Sequence, residues 1–275
     1  MQQVRFSIAA GESLALIGET GSGKTMIALS ILGLLPENVT ASGGETRLDG
    51  TVLSTPAQHR RRLGTEIVYI PQNGLESLNP SRGIRDQLYD GLKRLGVPRR
   101  ERQSMAAENL RRAGFESPEA ILGLYPFQLS GGMAQRVTIA LAAGSRARLV
   151  IADEPTNGLD ARGRGRFLEL LDEVFPEAAR LVITHDLSVA ALCSRVLVLC
   201  GGMTMEQGSI ARVRHPYTRA LQNALVENGM QETPILRQEA GACPFYRRCP
   251  VALPRCRETR DYHQTEDSEW WCSGP

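Results

Sequence analysis

Eight residues, Gly18-Glu19-Thr20-Gly21-Ser22-Gly23-Lys24-Thr25, constrain this chain more than any other feature. They fit the spacing G-x-x-x-x-G-K-[ST]. The apolar run Leu14-Ala15-Leu16-Ile17 precedes them, and a segment with helical character follows from Met26 to about Leu35, where Pro36 would stop it. Glycine lets backbone N–H groups turn inward around phosphate oxygens where a Cβ would obstruct them. Lys24 brings a point charge to β- and γ-phosphates, and the Thr25 hydroxyl can ligate Mg²⁺. The helix N-terminus adds positive potential. A flexible Gly/Ser turn could match by chance, so the reading as an ATP and Mg²⁺ site depends on partners elsewhere in the chain.

Those partners sit at the ends of further apolar runs. Ile67-Val68-Tyr69-Ile70 leads to Gln72, Leu149-Val150-Ile151-Ala152 to Asp153 and Glu154, and Leu181-Val182-Ile183-Thr184 to His185. Strands of a parallel sheet deliver their last side chains to one edge, where the phosphate loop would also lie. There Asp153 would hold Mg²⁺, mostly through water. Glu154 would polarise the attacking water, Gln72 would sense both metal and water, and His185 would donate to the γ-phosphate. Taken singly, a solvated acidic strand end and a structural histidine are the plainer readings.

The rest of the chain supplies the architecture. Residues 37–65, rich in Gly, Thr and Asp, predict an antiparallel flap of short strands. Residues 81–125 carry Arg, Glu, Gln and Ala at helical spacing, broken at Gly96-Val97-Pro98 and at Gly114, and predict a separate helical subdomain spanning about 73–142. Helices are expected at about Gly132 to Ala143 and Gly163 to Val174, and a strand at Val196 to Leu199. Strands alternating with helices imply a mainly parallel sheet with right-handed crossovers. The fold class is therefore α/β, with a mainly parallel sheet, an antiparallel β flap and an inserted α-helical subdomain, an arrangement that with its phosphate loop resembles a P-loop NTPase (RecA-like) core. Residues 1–214 form the expected ATPase domain, and 215–275 a C-terminal extension with a short helix from His215 and a tail punctuated by Pro and Cys.

Composition narrows the partners. With 42% apolar and 23% charged residues and a net charge of +2, no nucleic-acid surface dominates. No apolar run approaches the ~20 residues that cross a bilayer, and Met1-Gln2-Gln3-Val4-Arg5-Phe6 lacks the layout of a secretory signal. A cytosolic chain is expected. Four of its six cysteines, Cys243, Cys249, Cys256 and Cys272, fall in the last 33 residues. In a reducing compartment such a group points to metal rather than disulfides. Intervals of five, six and fifteen residues suit tetrahedral Zn²⁺ or a [4Fe–4S] cluster, and are looser than paired C-x-x-C knuckles. His263 could substitute as a ligand, though an exposed loop histidine is the plainer reading. Cys193 and Cys200 lie in apolar segments and read as core.

Leu129-Ser130-Gly131-Gly132-Met133-Ala134-Gln135-Arg136 resembles the signature sequence of ABC ATPases, and Asp160 in Asn157-Gly158-Leu159-Asp160 matches the loop after the carboxylate pair. Five motifs follow in that family's order over roughly residues 11–212. Ser130, Gly131 and Gly132 open a helix and offer N–H groups to an anion, although the chain already holds one phosphate cradle. The resemblance resolves this: two subunits sandwich two ATP molecules, each signature facing the other's phosphate loop. Three segments resemble the oligopeptide/dipeptide/nickel importers: Gln72 through Asn79-Pro80, Tyr125-Pro126-Phe127, and His215-Pro216-Tyr217-Thr218-Arg219-Ala220-Leu221. So does the tail from Gly241-Ala242-Cys243 to Cys249-Pro250, continuing through Cys256 and Cys272.

That likeness implies a second ABC ATPase subunit, usually a different chain, with two membrane permeases and an extracytoplasmic substrate-binding protein. It also implies a peripheral place on the cytoplasmic face of the bacterial inner membrane and, of the metals above, a [4Fe–4S] cluster. The helical subdomain, with Arg99-Arg100-Glu101-Arg102, would touch the permeases or simply present a solvated face. One departure stands out. Phe6 lies so close to Gly11-Glu12 that the resemblance leads one to expect the family's first strand and its adenine-stacking aromatic to be missing from this sequence: either its start site is mis-set or adenine is held differently. The alternative class is a DNA-repair or chromatin ABC ATPase, but those insert long coiled coils and no sustained heptads occur. Translation-associated relatives carry two phosphate loops, and this chain has one. Peptides, nickel and metal–opine complexes all remain open as cargo.

Overall fold

Short apolar runs of Leu, Ile and Val set the strands, and breaks at glycine, proline and capping residues set the helices between them. The computed structural model describes residues 4–224 and 243–274; Gly241 and Ala242 of the tail motif lie outside them. In chain order the first elements are β1 (Ser13–Gly18), α1 (Lys24–Leu32), β2 (Thr46–Leu48), β3 (Thr51–Leu53), α2 (Pro56–Arg62) and β4 (Ile67–Ile70). Next come α3 (Gly74–Ser77), α4 (Ile84–Arg94), α5 (Arg102–Arg112), α6 (Pro118–Leu122), α7 (Gly131–Ala142), β5 (Leu149–Asp153), α8 (Ala161–Val174) and β6 (Ala179–Ile183). The last are α9 (Leu187–Ala190), β7 (Arg195–Cys200), β8 (Met203–Gly208), α10 (Pro216–Asn223), β9 (Tyr262–Gln264) and β10 (Ser268–Trp271).

The described residues form two compact units. The first comprises Met1–Ile8, Ser13–Ile27 and Val182–Pro275, with strand order β1-β7-β8-β10-β9. β1 and β7 run parallel, with Ile17 opposite Val198, and the remaining pairs are antiparallel. Its core gathers Ala15, Ile17, Val196, Val198, Met205, Tyr217 and Phe245. The described end of the tail forms strands that its composition does not suggest: Glu269 pairs with Gln207 of β8, and β9 pairs with β10 in turn.

The second unit comprises Ala9–Glu12 and Ala28–Leu181. Here β4 and β5 run parallel, with Val68 opposite Val150. α4 buries Ile84, Leu88 and Leu92, four residues apart on one face of a helix. It packs with α5 and α7, which is the predicted helical subdomain. The flap over 37–65 is narrower than predicted. β2 and β3 form a hairpin whose Asp49 and Gly50 both adopt positive φ (48° and 76°), as a two-residue turn of this hand requires. The following stretch is a helix, α2, because Thr55 and Gln58 make a reciprocal capping box with Pro56 at the first position. α1 ends before Pro36, at Gly33 (φ 67°), where a Cβ would stand 2.8 Å from that of His59. Val4–Gly11 form no strand among the described residues. α8, with 14 residues, is the longest described helix, and no described helix is long and apolar enough to cross a membrane.

Candidate functional site

In the first unit, β1 delivers the chain straight into the phosphate loop. Gly18 has φ 150°, and an added Cβ would lie 2.2 Å from the Leu199 carbonyl oxygen, so strand and loop meet backbone to backbone. Gly21 and Gly23 take φ of 81° and 102°, which side chains rarely tolerate. Lys24, only 8% exposed, donates from Nζ to the carbonyls of Gly18 (2.7 Å) and Glu19 (3.1 Å), so its ammonium closes the loop from within. The Ser22 N–H donates to the Glu19 carbonyl, and the Gly202 N–H to that of Ser22.

Ser22 Oγ is buried with no hydrogen-bond partner. An orphaned hydroxyl costs about 1–3 kcal/mol, and here it sits among inward-turned glycines beside a lysine. That donor set fits phosphate oxygens. Thr25 is exposed in the first turn of α1, open to a cation. β6 ends at Ile183, one residue earlier than predicted, so His185 stands exposed two residues beyond it. Thr184 ties this exit to β1 by donating its N–H to the Leu16 carbonyl at 3.1 Å.

The same unit holds two residues whose part the sequence did not reveal. The Glu19 N–H donates to Tyr217 Oη (3.1 Å), and both Glu19 carboxylate oxygens accept from Arg248 (2.6 and 3.0 Å). Burial pulls the Arg248 pKa down, but the hydrogen bond and charge of Glu19 outweigh it and the net shift is upward. Both residues fall inside motifs already noted, yet 198 and 229 positions separate them from Glu19, and no local pattern signals such contacts.

In the second unit, Asp153 ends β5 only 7% exposed and accepts a hydrogen bond from Tyr69 Oη at 3.3 Å. Burial pushes the Tyr69 phenol up to about 12, helped by the Asp153 charge and hydrogen bond. Glu154 follows at φ 46°, a left-handed conformation that a β-carbon resists and that clusters at functional sites. Gln135 of α7 donates from Nε2 to the Pro155 carbonyl at 2.7 Å, fastening the helix behind the signature to the turn that carries Glu154. Gly74 of α3 packs directly on the same helix, since a Cβ there would lie 2.7 Å from the Gln135 nitrogen. Gln72 is exposed two residues upstream.

Ser130 caps α7, its Oγ accepting from the Met133 N–H at 3.3 Å. An added Cβ on Gly131 or Gly132 would meet nothing within 4 Å. Asp160 caps α8, accepting from the Gly163 N–H at 2.7 Å. The second unit thus holds Gln72, Ser130–Gly132, Asp153, Glu154 and Asp160, and the first holds the phosphate loop and His185.

None of the six cysteines, all among the described residues, forms a disulfide. Cys243 and Cys249 are half-buried and pack on the core cluster with Cys193, whereas Cys200, Cys256 and Cys272 are buried. Cys200 thus lies in the core as expected, whereas Cys193 is only half-buried at its edge. Burial raises the Cys243 thiol to about 11, with the charges of Cys249, Cys272 and Cys256 adding to it. Burial is also the first cause of the upward shifts at Cys249 and Cys272.

One of the four tail sulfurs, Cys272 Sγ, accepts a backbone N–H two residues on, from Gly274 at 3.3 Å. Such N–H···S bonds favour thiolate and suit sulfur ligands of an iron–sulfur cluster. Among the described residues no three His, Cys, Asp or Glu stand together as ligands of one ion. His263 is not an exposed loop residue: it lies in β9, stacks on Trp270 (5.1 Å) and bonds the Cys272 carbonyl (2.7 Å).

Comparison with known proteins agrees with this geometry. A family model described as "ABC transporter" matches residues 1–157, and one described as "Oligopeptide/dipeptide transporter, C-terminal region" matches 206–256. A probable peptide ABC transporter ATP-binding protein of Sinorhizobium fredii is 38% identical, covering 93% of this chain and 82% of its own. The dipeptide transport ATP-binding protein DppD of Escherichia coli is 34% identical (94% and 84%). The nickel import ATP-binding protein NikD of Brucella abortus is 38% identical (82% and 87%). Among solved structures, the ATP-binding cassette MJ0796, in a dimeric post-hydrolysis state with ADP and Pi, superposes with a TM-score of 0.62 at 27% identity, over 76% of this chain and 89% of its own. The cbiO1 component of the cbiONQ transporter from Clostridium perfringens shares the fold, with a TM-score of 0.64 at 24% identity over 75% and 80%.

Proposed function

The chain belongs to the ABC transporter family as an ATP-binding, ATP-hydrolysing subunit, and on that premise we propose that it powers import of peptides or of nickel and other metal–chelate complexes. One observation carries the reading: an ABC transporter match and an oligopeptide/dipeptide transporter C-terminal match lie on the same chain. We assign the ATPase domain to residues 1–214 and the extension to 215–275.

In this reading the backbone of Gly18, Glu19, Thr20, Gly21, Ser22 and Gly23 cradles the phosphates, and Lys24 neutralises the β- and γ-oxygens. Thr25, Gln72 and Asp153 would hold Mg²⁺, whose charge, when present, offsets that developing on the transferred phosphoryl group. Glu154 orients a water whose oxygen bonds the γ-phosphorus as the bond to the β,γ-bridging oxygen breaks, giving ADP and phosphate. His185 donates to the γ-phosphoryl oxygens. Catalysis of this kind is positioning plus electrostatics. The strained backbone at Glu154 supports its role, because only a position under tight constraint keeps such a conformation.

Ser130, Gly131, Gly132 and Asp160 serve the nucleotide of a second ATPase subunit. Glycine weakens a helix by roughly 0.5–1 kcal/mol relative to alanine, and among the described residues nothing crowds Gly131 or Gly132. Their smallness makes sense if another chain's nucleotide closes over them. ABC importer ATPases work with membrane permease components and a partner ATPase. For this chain we propose a non-identical partner, two permeases, an extracytoplasmic binding protein and a peripheral place at the cytoplasmic face of the inner membrane. The helical subdomain would dock the permeases through Arg99, Arg100 and Arg102 and the stacked pair Tyr125 and Phe127, 44% and 76% exposed.

Cys243, Cys249, Cys256 and Cys272 would hold a [4Fe–4S] cluster. The sequence grouping of the four cysteines and the Gly274 N–H···Sγ bond at Cys272 (3.3 Å) support it, since each thiolate of such a cluster binds its own iron.

Glu154→Gln in the assembled transporter is expected to lower ATP turnover by about 10²–10⁴-fold while MgATP binding persists. Unchanged turnover would remove Glu154 from its role. Uptake of a labelled dipeptide and of radioactive nickel, in cells with and without this chain, separates the cargo classes. Iron, sulfide and zinc assays with an absorbance spectrum after anaerobic purification decide the metal.

A further inference from the structure

A carboxylate in a phosphate loop poses a problem, because Glu19 lies beside the groups that would carry a triphosphate's negative charge. The structure answers it with Arg248. This residue closes the 3₁₀ turn Tyr246–Arg248 and directly precedes Cys249. Its side chain is 5% exposed, and its guanidinium forks onto Glu19 at 2.6 and 3.0 Å. The cation lies over the rings of Phe245 (5.1 Å) and Tyr217 (5.9 Å), and Nη2 approaches Cys200 Sγ at 3.8 Å. Tyr217 Oη accepts the Glu19 N–H, and Lys24 Nζ donates to the Glu19 carbonyl. Glu19 is thus gripped at its N–H, its carboxylate and its carbonyl, which fixes the peptides on either side of it. A bidentate arginine–carboxylate pair gives geometric specificity as well as charge compensation. Because Glu19 is 38% exposed, solvent weakens its share, and the buried arginine is the costlier member to orphan.

We propose that Arg248 is a positioning residue for ATP binding: from the cysteine-bearing C-terminal region it neutralises and fixes Glu19, holding the phosphate loop in the shape that receives a triphosphate. The proposal rests on the ATP-binding reading of Gly18–Thr25. It makes the C-terminal region a strut of the nucleotide site. By linkage, nucleotide binding must in turn steady the Phe245–Cys249 turn.

The test is MgATP affinity of the full chain, measured by fluorescent-nucleotide titration well below the melting temperature. Arg248→Ala is expected to raise the Kd about tenfold, the scale of coupling between contacting residues. Arg248→Lys should recover part of the loss, because a lysine restores charge without the fork. Adding Glu19→Gln to Arg248→Ala should cost nothing further, since both remove one contact. Amide exchange in residues 245–249 should slow on adding MgATP to the wild type and not to Arg248→Ala. Wild-type affinity in Arg248→Ala would overturn the proposal, as would simple addition of the two losses or exchange unaltered by nucleotide in the wild type. A wild-type chain that binds no MgATP would instead overturn the ATP-site reading itself.

Discussion

The phosphate loop and the signature turn are both helix starts furnished with glycine, yet they are built on opposite plans. The loop is finished within its own chain. Gly18 packs against Leu199, Lys24 bonds two loop carbonyls, and Tyr217 and Arg248 hold Glu19. The turn at Ser130–Gly132 has one capping bond of its own and glycines with open space where a Cβ would be. Its anchoring lies behind it, at Gly74 and at the Gln135 bond to Pro155. On the proposed reading, the contrast separates a site that holds ligand alone from a surface that another molecule completes: preorganisation lies where one chain would grip the phosphates, and openness where a second would close.

Four perturbations would break or sharpen that contrast. Lys24→Ala should weaken MgATP binding to the isolated chain by about 10²–10³-fold, the scale of losing one preorganised donor to a charged oxygen; titration against the wild type reads it. Gly18→Ala should destabilise the fold by about 2–4 kcal/mol, because the added carbon meets the Leu199 carbonyl at 2.2 Å in a backbone region hostile to side chains. Urea unfolding measures this, and a near-neutral result would mean the loop is looser than described.

Acid should next unseat the far support of the loop. His215 caps α10 by accepting the Tyr217 N–H at Nδ1 (3.0 Å), so its ring must stay neutral there. Burial lowers its pKa to about 4, with the Arg260 charge adding to the effect. Between the ordinary value near 6.5 and about 4, the unfolded chain therefore binds the extra proton. Stability is full above that window and falls as pH drops through it, by on the order of 2–3 kcal/mol. Glu206, raised chiefly by burial, works in the opposite sense, so the difference between wild type and His215→Asn isolates the histidine.

Gly131→Ala should have the smallest effect on the isolated chain: stability unchanged or up to about 1 kcal/mol higher, since alanine favours helix and space is open. Turnover in the assembled transporter should nevertheless fall at least roughly tenfold, as expected when a donor surface is blocked. A variant that is both stable and fully active would break the contrast outright.

Much of this was legible in the residues because its physics is local. A glycine loop after a strand, a capping serine before a helix, and paired acids at the end of an apolar run each carry their signal within a dozen positions. The parallel strands, the helical subdomain and the family could all be read this way. The flap could not be bounded, because the Thr55–Gln58 capping box was lost in a polar stretch. β9 and β10 carry no readable alternation because they are only three and four residues long and mostly polar, and the pairing of β10 with β8 is long-range. His263 looked like an exposed loop residue until β9 and the Trp270 ring enclosed it.

The sequence by itself determined the family and the functional groups available to the proposed site, with the order in which they occur. Tertiary structure alone decided what holds that chemistry in place. The grip of Tyr217 and Arg248 on Glu19, the Gln135 tie to Pro155 and the packing of Gly18 on Leu199 depend on chain segments meeting across long separations. Side-chain identity specifies a functional group, but only the folded path of the backbone fixes its distance and direction to another.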